Sequence, residues 1–341
     1  KWPCNLRSVP AASRHPEDSH GTHKRLGTYH RLKLPRFQTA FPLKRQASPW
    51  RRRAGVFKHY LVKVVTLTIG AAAVSAPAQA WRGWRDRKAA RPAFRGGVAL
   101  VTHVHYVDLL DEIIACHDRL PRGSALIVTT QPDKVEAVAA RLGGVAEARV
   151  VACVNRGRDI APFLSLLNAG ALEPFDAVLK LHTKRSPHLS DGNIRRRLLF
   201  LMLAGRRRQV ARILALFEDN ATGLVGWRGC WHDSPLFWML NRAHVEALAA
   251  RMGITPPARP AFFEGSMFWV RPAALARLRA LALTPEGFEP EQGQVDGALH
   301  HAVERVFTLA AIADGYAIRD AGGRCLLAPL TTPSPASVHA R

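Results

Sequence analysis

From residue 97 onwards the chain alternates continuously apolar runs with segments of helical periodicity, and this alternation limits the possible folds more than any other feature. Four runs are typical of buried strands, and a helical pattern follows each of them: "GVALVTHVH", "SALIVTT", "ARVVACV" and "FDAVLKLH". Strands that are apolar on both faces occur in parallel sheets covered by helices on both sides. The sequence therefore predicts an α/β fold built on a mostly parallel, Rossmann-type sheet.

The remaining elements follow from the same reading of periodicity. Helices are predicted over 106–119, 132–142 and 159–169, near 194–204 and over 206–219, and "TGLVG" is typical of a short strand. The last third predicts one aromatic-rich strand, "FFEGSMFWVR" (262–271), a helix opened by Pro272, and a helix over "QVDGALHHAVERVFTLA". We therefore predict one domain over 96–320 and a tail over 321–341.

The positive charge of the chain is concentrated in its first part. The net charge is +23, yet residues 1–95 hold 21 Lys/Arg and three acidic residues, whereas residues 96–341 hold 28 and 23. A nearly neutral body argues against a specific nucleic-acid partner, and a basic arm is suited to an anionic membrane surface. Because residues 1–55 lack sustained periodicity, we predict that the arm over 1–95 is largely disordered.

The apolar stretch 59–80, "HYLVKVVTLTIGAAAVSAPAQA", admits three interpretations. It is short for a membrane span and contains Pro77, which favours an interfacial or poorly spanning helix. The "AQA" at 78–80 resembles a secretory cleavage site, and an ordinary packed helix is the third possibility.

The five cysteines lack the close spacing of zinc or redox motifs, which indicates a reducing compartment. The expected location is cytoplasmic, peripheral at the inner face of the cell membrane.

The stretch "VNRGRDIAPFLSLL" (154–167) places a glycine turn between a strand and a helix. Gly157 permits the turn, Asp159 suits the helix amino terminus, and Arg156 and Arg158 flank the glycine. A helix amino terminus with two nearby guanidinium groups is suited to a diphosphate. The alternative is a capped helix with solvated arginines.

The stretch "LKLHTKRSPH" places a histidine and three cations at the carboxyl end of a predicted strand. Alternation along the strand puts Lys180 and His182 on one face, and Lys184 and Arg185 follow before Pro187 ends the strand. The cations suit phosphate or carboxylate, and the histidine could serve as donor, base or metal ligand. The alternative is a solvated strand end with a core histidine.

The last predicted helix carries a third constellation. On a helix, Asp296, His300 and Glu304 are spaced by four and share one face, which could supply a general base or a metal site, or form only a polar face. The aromatic residues around Gly265 could form plain core or a stacking wall for a sugar or base.

Five motifs together resemble the rhamnan synthesis protein F family, glycosyltransferases of bacterial cell-surface polysaccharide assembly. They occur in the family's order and cover about residues 97–318: "VHYVDLLDEI", "NRGRDIAPFLSLL", "DAVLKLHTKRS", "GSMFWVRPAAL" and "EQGQVDGALHHAVERVF". The resemblance implies a GT-A-like fold that transfers a deoxyhexose such as rhamnose from a nucleotide-sugar donor to a growing, lipid-linked glycan. It says nothing about the arm over 1–95.

The same resemblance identifies motif positions: Asn155, Arg158, Asp159, His182, Lys184, Gly265, Asp296 and Glu304. In the broad fold that it implies, a strand usually ends in an Asp-x-Asp that holds a divalent metal on the diphosphate. No Asp-x-Asp occurs in 96–341, and "KLHTKR" stands at the position expected for it. Cations can neutralise a leaving diphosphate directly, so no cofactor is predicted, although a divalent metal remains an alternative.

These considerations give a working assignment of roles. Asn155 and Asp159 would contact the nucleotide sugar, and the diphosphate would be held by Arg158, Lys184 and Arg185, with Lys180 and Gly265 as further donor-site residues. Asp296, with Glu304 or Glu264 behind it, would deprotonate the acceptor hydroxyl. Two other functions stay open from the sequence: a non-catalytic polyanion or nucleic-acid binder, and a degenerate transferase fold that acts as a scaffold.

Overall fold

The computed structural model describes residues 8–9, 94–183, 185 and 192–330. Eleven strands occur in these residues: β1 (Ser8–Val9), β2 (Val98–Val104), β3 (Ala125–Thr130), β4 (Ala148–Ala152), β5 (Ala177–His182), β6 (Thr222–Gly226), β7 (Trp231–His232), β8 (Phe262–Phe263), β9 (Phe268–Val270), β10 (Ala317–Asp320) and β11 (Cys325–Leu327). The α-helices of the same residues are α1 (Leu110–His117), α2 (Val135–Leu142), α3 (Ile160–Asn168), α4 (Gly192–Ala204), α5 (Arg207–Leu216), α6 (Arg242–Arg251), α7 (Ala276–Ala280) and α8 (Leu299–Ala313).

Nine of the strands form one mixed, mostly parallel sheet. Its order is β1-β4-β3-β2-β5-β9-β6-β10-β11. The strands β4, β3, β2 and β5 pair in parallel, and β6 pairs in parallel with β10. Strand β9 is antiparallel to both β5 and β6, so these two strands run in the same direction on either side of it. The predicted α/β class and the mostly parallel sheet are confirmed.

Helices cover both faces of the sheet, because its central strands are apolar on both. One face packs against α3, α6 and α8, and the other against α1, α2, α4 and α5. Along β5, Val178 lies in the first core, whereas Leu179 and Leu181 lie in the second. This alternation turns Lys180 and His182 towards the α3 and α8 face, as period two requires.

The predicted single strand over 262–271 is wrong. Gly265 has φ +90° and Ser266 has φ +51°, and two consecutive residues in the left-handed region end an extended strand. The stretch is divided into β8, which pairs with β7, and β9, which enters the main sheet. Pro272 does open a helical segment, a 3-10 turn that leads into α7.

The predicted helix over "QVDGALHHAVERVFTLA" begins later than expected. Helix α8 starts at Leu299 because Gly297 has φ +80° and Ala298 is extended. Asp296 therefore lies in the preceding loop, and the predicted one-face arrangement of Asp296, His300 and Glu304 on a helix is wrong. Only the last two residues are helical.

Several features of the sequence lie outside the described residues: most of the arm over 1–95, its apolar stretch 59–80, and Lys184. None of the helices in the described part of the chain combines the length and apolar character needed to span a bilayer. At the other end, Cys325–Leu327 pairs with β10, so the sheet continues into the stretch beyond residue 320.

Candidate functional site

The order of the parallel strands reverses between β2 and β5. From β2, the chain continues outward to β3 and β4 and then returns to β5 on the other side. In open α/β sheets, ligands bind at the carboxyl ends of the strands beside such a reversal. His103 and His182 are register partners at those two ends. The candidate site therefore begins with two histidines on adjacent strands.

The Asp159 carboxylate lies at the centre of the site. Its Oδ2 is 2.5 Å from the Lys180 Nζ and 3.3 Å from the His182 Nδ1. Asp159 occupies the position before α3, as predicted, but its side chain makes no cap hydrogen bond. The sequence correctly placed Lys180 and His182 on one face, and the structure brings both of them to the same carboxylate.

Asp159 remains ionised in this setting. Burial raises the pKa of its carboxyl group, but the charges of His182 and Lys180 and their hydrogen bonds outweigh burial and hold the pKa well below its usual range. Lys180 is only 1% exposed, and its ammonium also donates to the Ser266 carbonyl at 2.9 Å. Lys180 therefore fixes the position of Asp159 from the protein interior. Because it is buried, its ammonium is not accessible to a diphosphate.

Glu304 positions the turn that separates β8 from β9. Its Oε1 accepts hydrogen bonds from the Gly265 amide at 2.7 Å and the Ser266 hydroxyl at 3.2 Å. Its Oε2 lies 3.7 Å from the Arg305 guanidinium. Because Ser266 also accepts from Lys180, one polar network joins α8, the turn and the Asp159 cluster.

Arg158 lies at the edge of the same cluster, with its backbone in the left-handed region at φ +53°. Its guanidinium makes a two-pronged contact with the Glu291 carboxylate at 3.0 and 3.2 Å. Asn155, four residues before Asp159, is exposed. Arg185 pairs with Asp108 and lies 4.9 Å from the Tyr106 ring centroid, and both partners belong to the segment that follows β2.

The two other predicted acids lie in different surroundings. Asp296 accepts hydrogen bonds from the Leu240 amide at 2.9 Å and the Asn241 side chain at 2.6 Å. Glu264 lies 2.7 Å from the His232 Nε2 and 3.0 Å from the Arg195 guanidinium. Each carboxylate therefore has fixed partners, and Asp296 is the one bound only by neutral donors among the contacts described.

Sequence reasoning missed His103 and Thr183. The Thr183 hydroxyl accepts from the His105 and Tyr106 amides at 2.9 and 3.0 Å, which ties the loop after β2 to the end of β5. His103 lies 3.1 Å from the Thr129 hydroxyl. His103 lies near the end of β2, and Thr183 directly follows β5. The sequence pattern predicted these strand ends but not the hydrogen-bond partners of the two residues.

Acidification is expected to destabilise the protein through His103. Burial lowers its pKa to about 4 against an ordinary value of 6.5, so between these pH values the unfolded chain binds the additional proton. The free energy of unfolding should therefore fall as the pH drops from 6.5 to 4, by about 3 kcal/mol from this group. Urea unfolding at several pH values should show a shallower fall for His103→Gln, and equal slopes would contradict the assignment.

The fold and the site define an α/β protein with a cluster of polar side chains at the reversal point of a mostly parallel sheet. A family model of rhamnan synthesis protein F matches residues 87–316, which is more than half of the chain. The chain therefore belongs to the rhamnan synthesis protein F family.

Two curated relatives come from two strains of Xanthomonas campestris pv. campestris, and each carries the name uncharacterized protein WxcX. Each is 37% identical to this chain over 224 residues. The match covers 64% of this chain and 32% of each relative, so the chain spans about a third of the curated relatives that it matches. The likeness adds no named activity to the family assignment.

Proposed function

We propose that this chain is a glycosyltransferase that moves a sugar, a deoxyhexose such as rhamnose, from a nucleotide-linked donor to a growing bacterial surface glycan. The observation that carries the proposal is the polar cluster at the carboxyl ends of β2 and β5, where His103 and His182 are register partners and His182 contacts Asp159. Ligands of open α/β sheets bind at this place. The GT-A-like organisation proposed for the sheet is supported by the antiparallel β9 between two parallel strands.

The donor would be bound by groups around Asp159. An ionised carboxylate held by Lys180 and His182 is a fixed acceptor for sugar or ribose hydroxyls, and exposed Asn155 lies close to it in sequence. Arg158 and Arg185 supply guanidinium groups for the diphosphate, and Lys184 is proposed for the same role. Lys180 and Gly265 act by positioning, since both are engaged by the protein's own carboxylates.

Asp296 is the proposed general base. In the reaction, the acceptor oxygen attacks the anomeric carbon, the bond from that carbon to the phosphate oxygen breaks, and the diphosphate leaves with the bonding electrons. The proton of the acceptor hydroxyl passes to the Asp296 carboxylate. The Leu240 amide and Asn241 hold this carboxylate in place without a permanent charge beside it. Glu304 supports the turn, and Glu264 is already committed to His232 and Arg195.

The surface beside Asp296 suits an acceptor with a lipid tail. Four large apolar side chains near it are 55–75% exposed, and they belong to two segments joined by the bond from the Leu240 amide to Asp296: Leu236, Met239, Leu240 and Val295. Contiguous exposed apolar side chains mark interaction surfaces. A lipid-linked glycan at the inner membrane face, approached with help from the basic arm, fits this arrangement.

The divalent metal that a GT-A-like fold implies does not match these residues. Among residues 94–183, 185 and 192–330, no three His, Cys, Asp or Glu side chains are grouped to hold a metal ion. The negative charge of Asp159, the carboxylate at the centre of the site, is already balanced by the Lys180 ammonium. We therefore derive no step through a metal.

A screen of the 341-residue chain against nucleotide sugars tests the proposed function. Thermal shift reports donor binding, and released nucleoside diphosphate reports turnover with a glycan acceptor. A nucleotide sugar that binds and is turned over supports the transferase. Binding without turnover across a panel of acceptors favours the scaffold, and tight binding to nucleic acid with a steep salt dependence favours the polyanion binder.

Donor binding is expected to survive metal removal. The reason is that guanidinium groups, rather than a metal on an Asp-x-Asp pair, would balance the diphosphate charge. Titration of the donor with and without EDTA checks this, and the two dissociation constants should agree within about twofold. Loss of binding that manganese restores would show that a metal site exists which the described residues do not reveal.

A further inference from the structure

The segment from Glu289 to Gly297 brings a carboxylate of the protein onto a cation of the candidate donor site. Glu291 makes a two-pronged contact with the Arg158 guanidinium, and the Gln294 carbonyl accepts from the same group. A guanidinium binds carboxylate and phosphate with the same fork geometry. Glu291 therefore occupies the place on Arg158 that a phosphate would take.

A second carboxylate of this segment lies at the amino terminus of α8. Both oxygens of Glu289 accept from the Leu299 amide, at 3.1 and 3.0 Å. Helix α8 has 15 residues, and the amides at the start of such a helix favour an anion. One proline separates Glu289 from Glu291, so two neighbouring carboxylates engage two anion-binding groups.

His300 gives the second and independent observation. Its side chain is 5% exposed, and neither ring nitrogen has a hydrogen-bond partner among the described residues. Arg158, Asp159, Glu291 and Glu289 are all close enough to act on it electrostatically. A buried polar group without a partner is costly, and such groups in folded proteins call for a specific explanation. A ligand between these groups would supply the missing partner.

We propose that the Leu299 amide and His300, beside Arg158, form a further part of the site for the donor diphosphate, and that Glu289 and Glu291 are internal anions that the diphosphate displaces. This inference rests on the proposed function and specifies how its donor is bound. In this exchange a phosphate replaces a carboxylate, so Arg158 and the Leu299 amide each keep an anion as their partner. His300 then gains a phosphate or sugar oxygen as its hydrogen-bond acceptor.

The segment has the mechanical features that such an exchange needs. Arg156 anchors its beginning, because its guanidinium donates to the Glu286 and Phe288 carbonyls at 3.3 Å and its backbone bridges to Pro290. Beyond Glu291, Gly293 and Gly297 have φ +73° and +80°, values that glycine adopts without strain. Rotation at these glycines can release Glu291 while the anchored part stays in place. Glu289 lies in the anchored part and leaves the Leu299 amide by a change of its own side-chain rotamer.

The test measures binding of inorganic pyrophosphate to the 341-residue chain by calorimetry at fixed ionic strength. Glu291→Gln removes the competing charge, so we expect it to bind pyrophosphate about fivefold to tenfold more tightly than the wild type. Glu286→Gln is the matched control, since this carboxylate lies in the same part of the chain without contacting Arg158, and it should bind like the wild type. The basic arm contributes equally to all variants and cancels in the comparison.

Two further variants test the ligand side of the site. Arg158→Ala should weaken pyrophosphate binding about tenfold or more, whereas Arg207→Ala, on the exposed side of α5, should not change it. His300→Leu should weaken binding about tenfold and leave the melting temperature unchanged or higher, because it removes an unsatisfied polar group. A histidine with only a structural role would instead lower the melting temperature and leave binding unchanged.

Identical binding by the wild type and Glu291→Gln would overturn the inference, as would unchanged binding by Arg158→Ala. The nucleotide-sugar screen separates this outcome from failure of the proposed function. Turnover without the expected pyrophosphate pattern would leave a transferase that binds its donor elsewhere. The expected pattern without turnover of any nucleotide sugar would leave a diphosphate site that serves another substrate.

Discussion

Replacing Lys180 by methionine is expected to lower the free energy of unfolding by about 3–5 kcal/mol, because it leaves the largely buried Asp159 carboxylate without its closest cation. Lys180 is 1% exposed and lies 2.5 Å from Asp159, and its ammonium also bonds the Ser266 carbonyl. Its loss removes both contacts at once. Urea unfolding of the variant measures the change.

The control is the double variant Lys180→Met with Asp159→Asn. It removes the uncompensated charge and should recover part of the lost stability, which identifies the ion pair rather than side-chain volume as the cause. Arg207→Ala, an exposed cation, should change stability by less than about 0.5 kcal/mol. A loss below about 1 kcal/mol in Lys180→Met would mean that His182 alone compensates Asp159.

Replacing Asp296 by asparagine is expected to lower the turnover of glycosyl transfer by a factor on the order of 10²–10⁴. The amide has nearly the shape of the carboxylate but cannot accept the proton of the acceptor hydroxyl. The carbonyl oxygen of the substituted side chain can still accept from the Leu240 amide, whereas the Asn241 side chain loses its acceptor. We therefore expect the free energy of unfolding to fall by about 1 kcal/mol and the donor affinity to change little. Initial rates with a nucleotide sugar that the screen identifies give the measurement.

Glu246→Gln provides the matched control, since this exposed acid pairs only with Arg242 on the surface of α6 among the contacts described. Its turnover should stay within about twofold of the wild type. Full turnover in Asp296→Asn, together with a large loss of turnover in Glu264→Gln, would show that Glu264 rather than Asp296 is the general base. A large loss in Glu304→Gln alone would instead reflect disturbance of the turn at Gly265.

The structure gives the candidate donor-site residues different roles from those that the sequence predicted. The sequence grouped Lys180 with Arg185 and Lys184 as cations for a diphosphate. In the structure, Lys180 is buried beneath Asp159, and Arg158 is held by a carboxylate of the protein itself. The buried cation serves stability and positioning, and the cation at the edge is the one that a ligand can capture.

The amino-acid sequence by itself determined the α/β class, the parallel central strands and the faces of Lys180 and His182. These follow from local rules: apolar runs bury on both faces, and side chains alternate along a strand. The motif order also indicated the family, because five short motifs in sequence are specific together. The prediction of one strand over 262–271 failed because two residues with positive φ interrupt a run that has the composition of a strand.

Only the tertiary structure decided which polar groups meet. Apart from Arg305 beside Glu304, the described partners of Asp159, Arg158 and Glu304 lie between 21 and 136 residues away along the chain, and no local pattern encodes contacts at such separations. The start of α8 depends on the left-handed backbone at Gly297, which leaves Asp296 outside the helix, and on Glu289, which accepts from the Leu299 amide across the loop. Long-range packing fixes these pairs, since a charge entering the core must find its partner there.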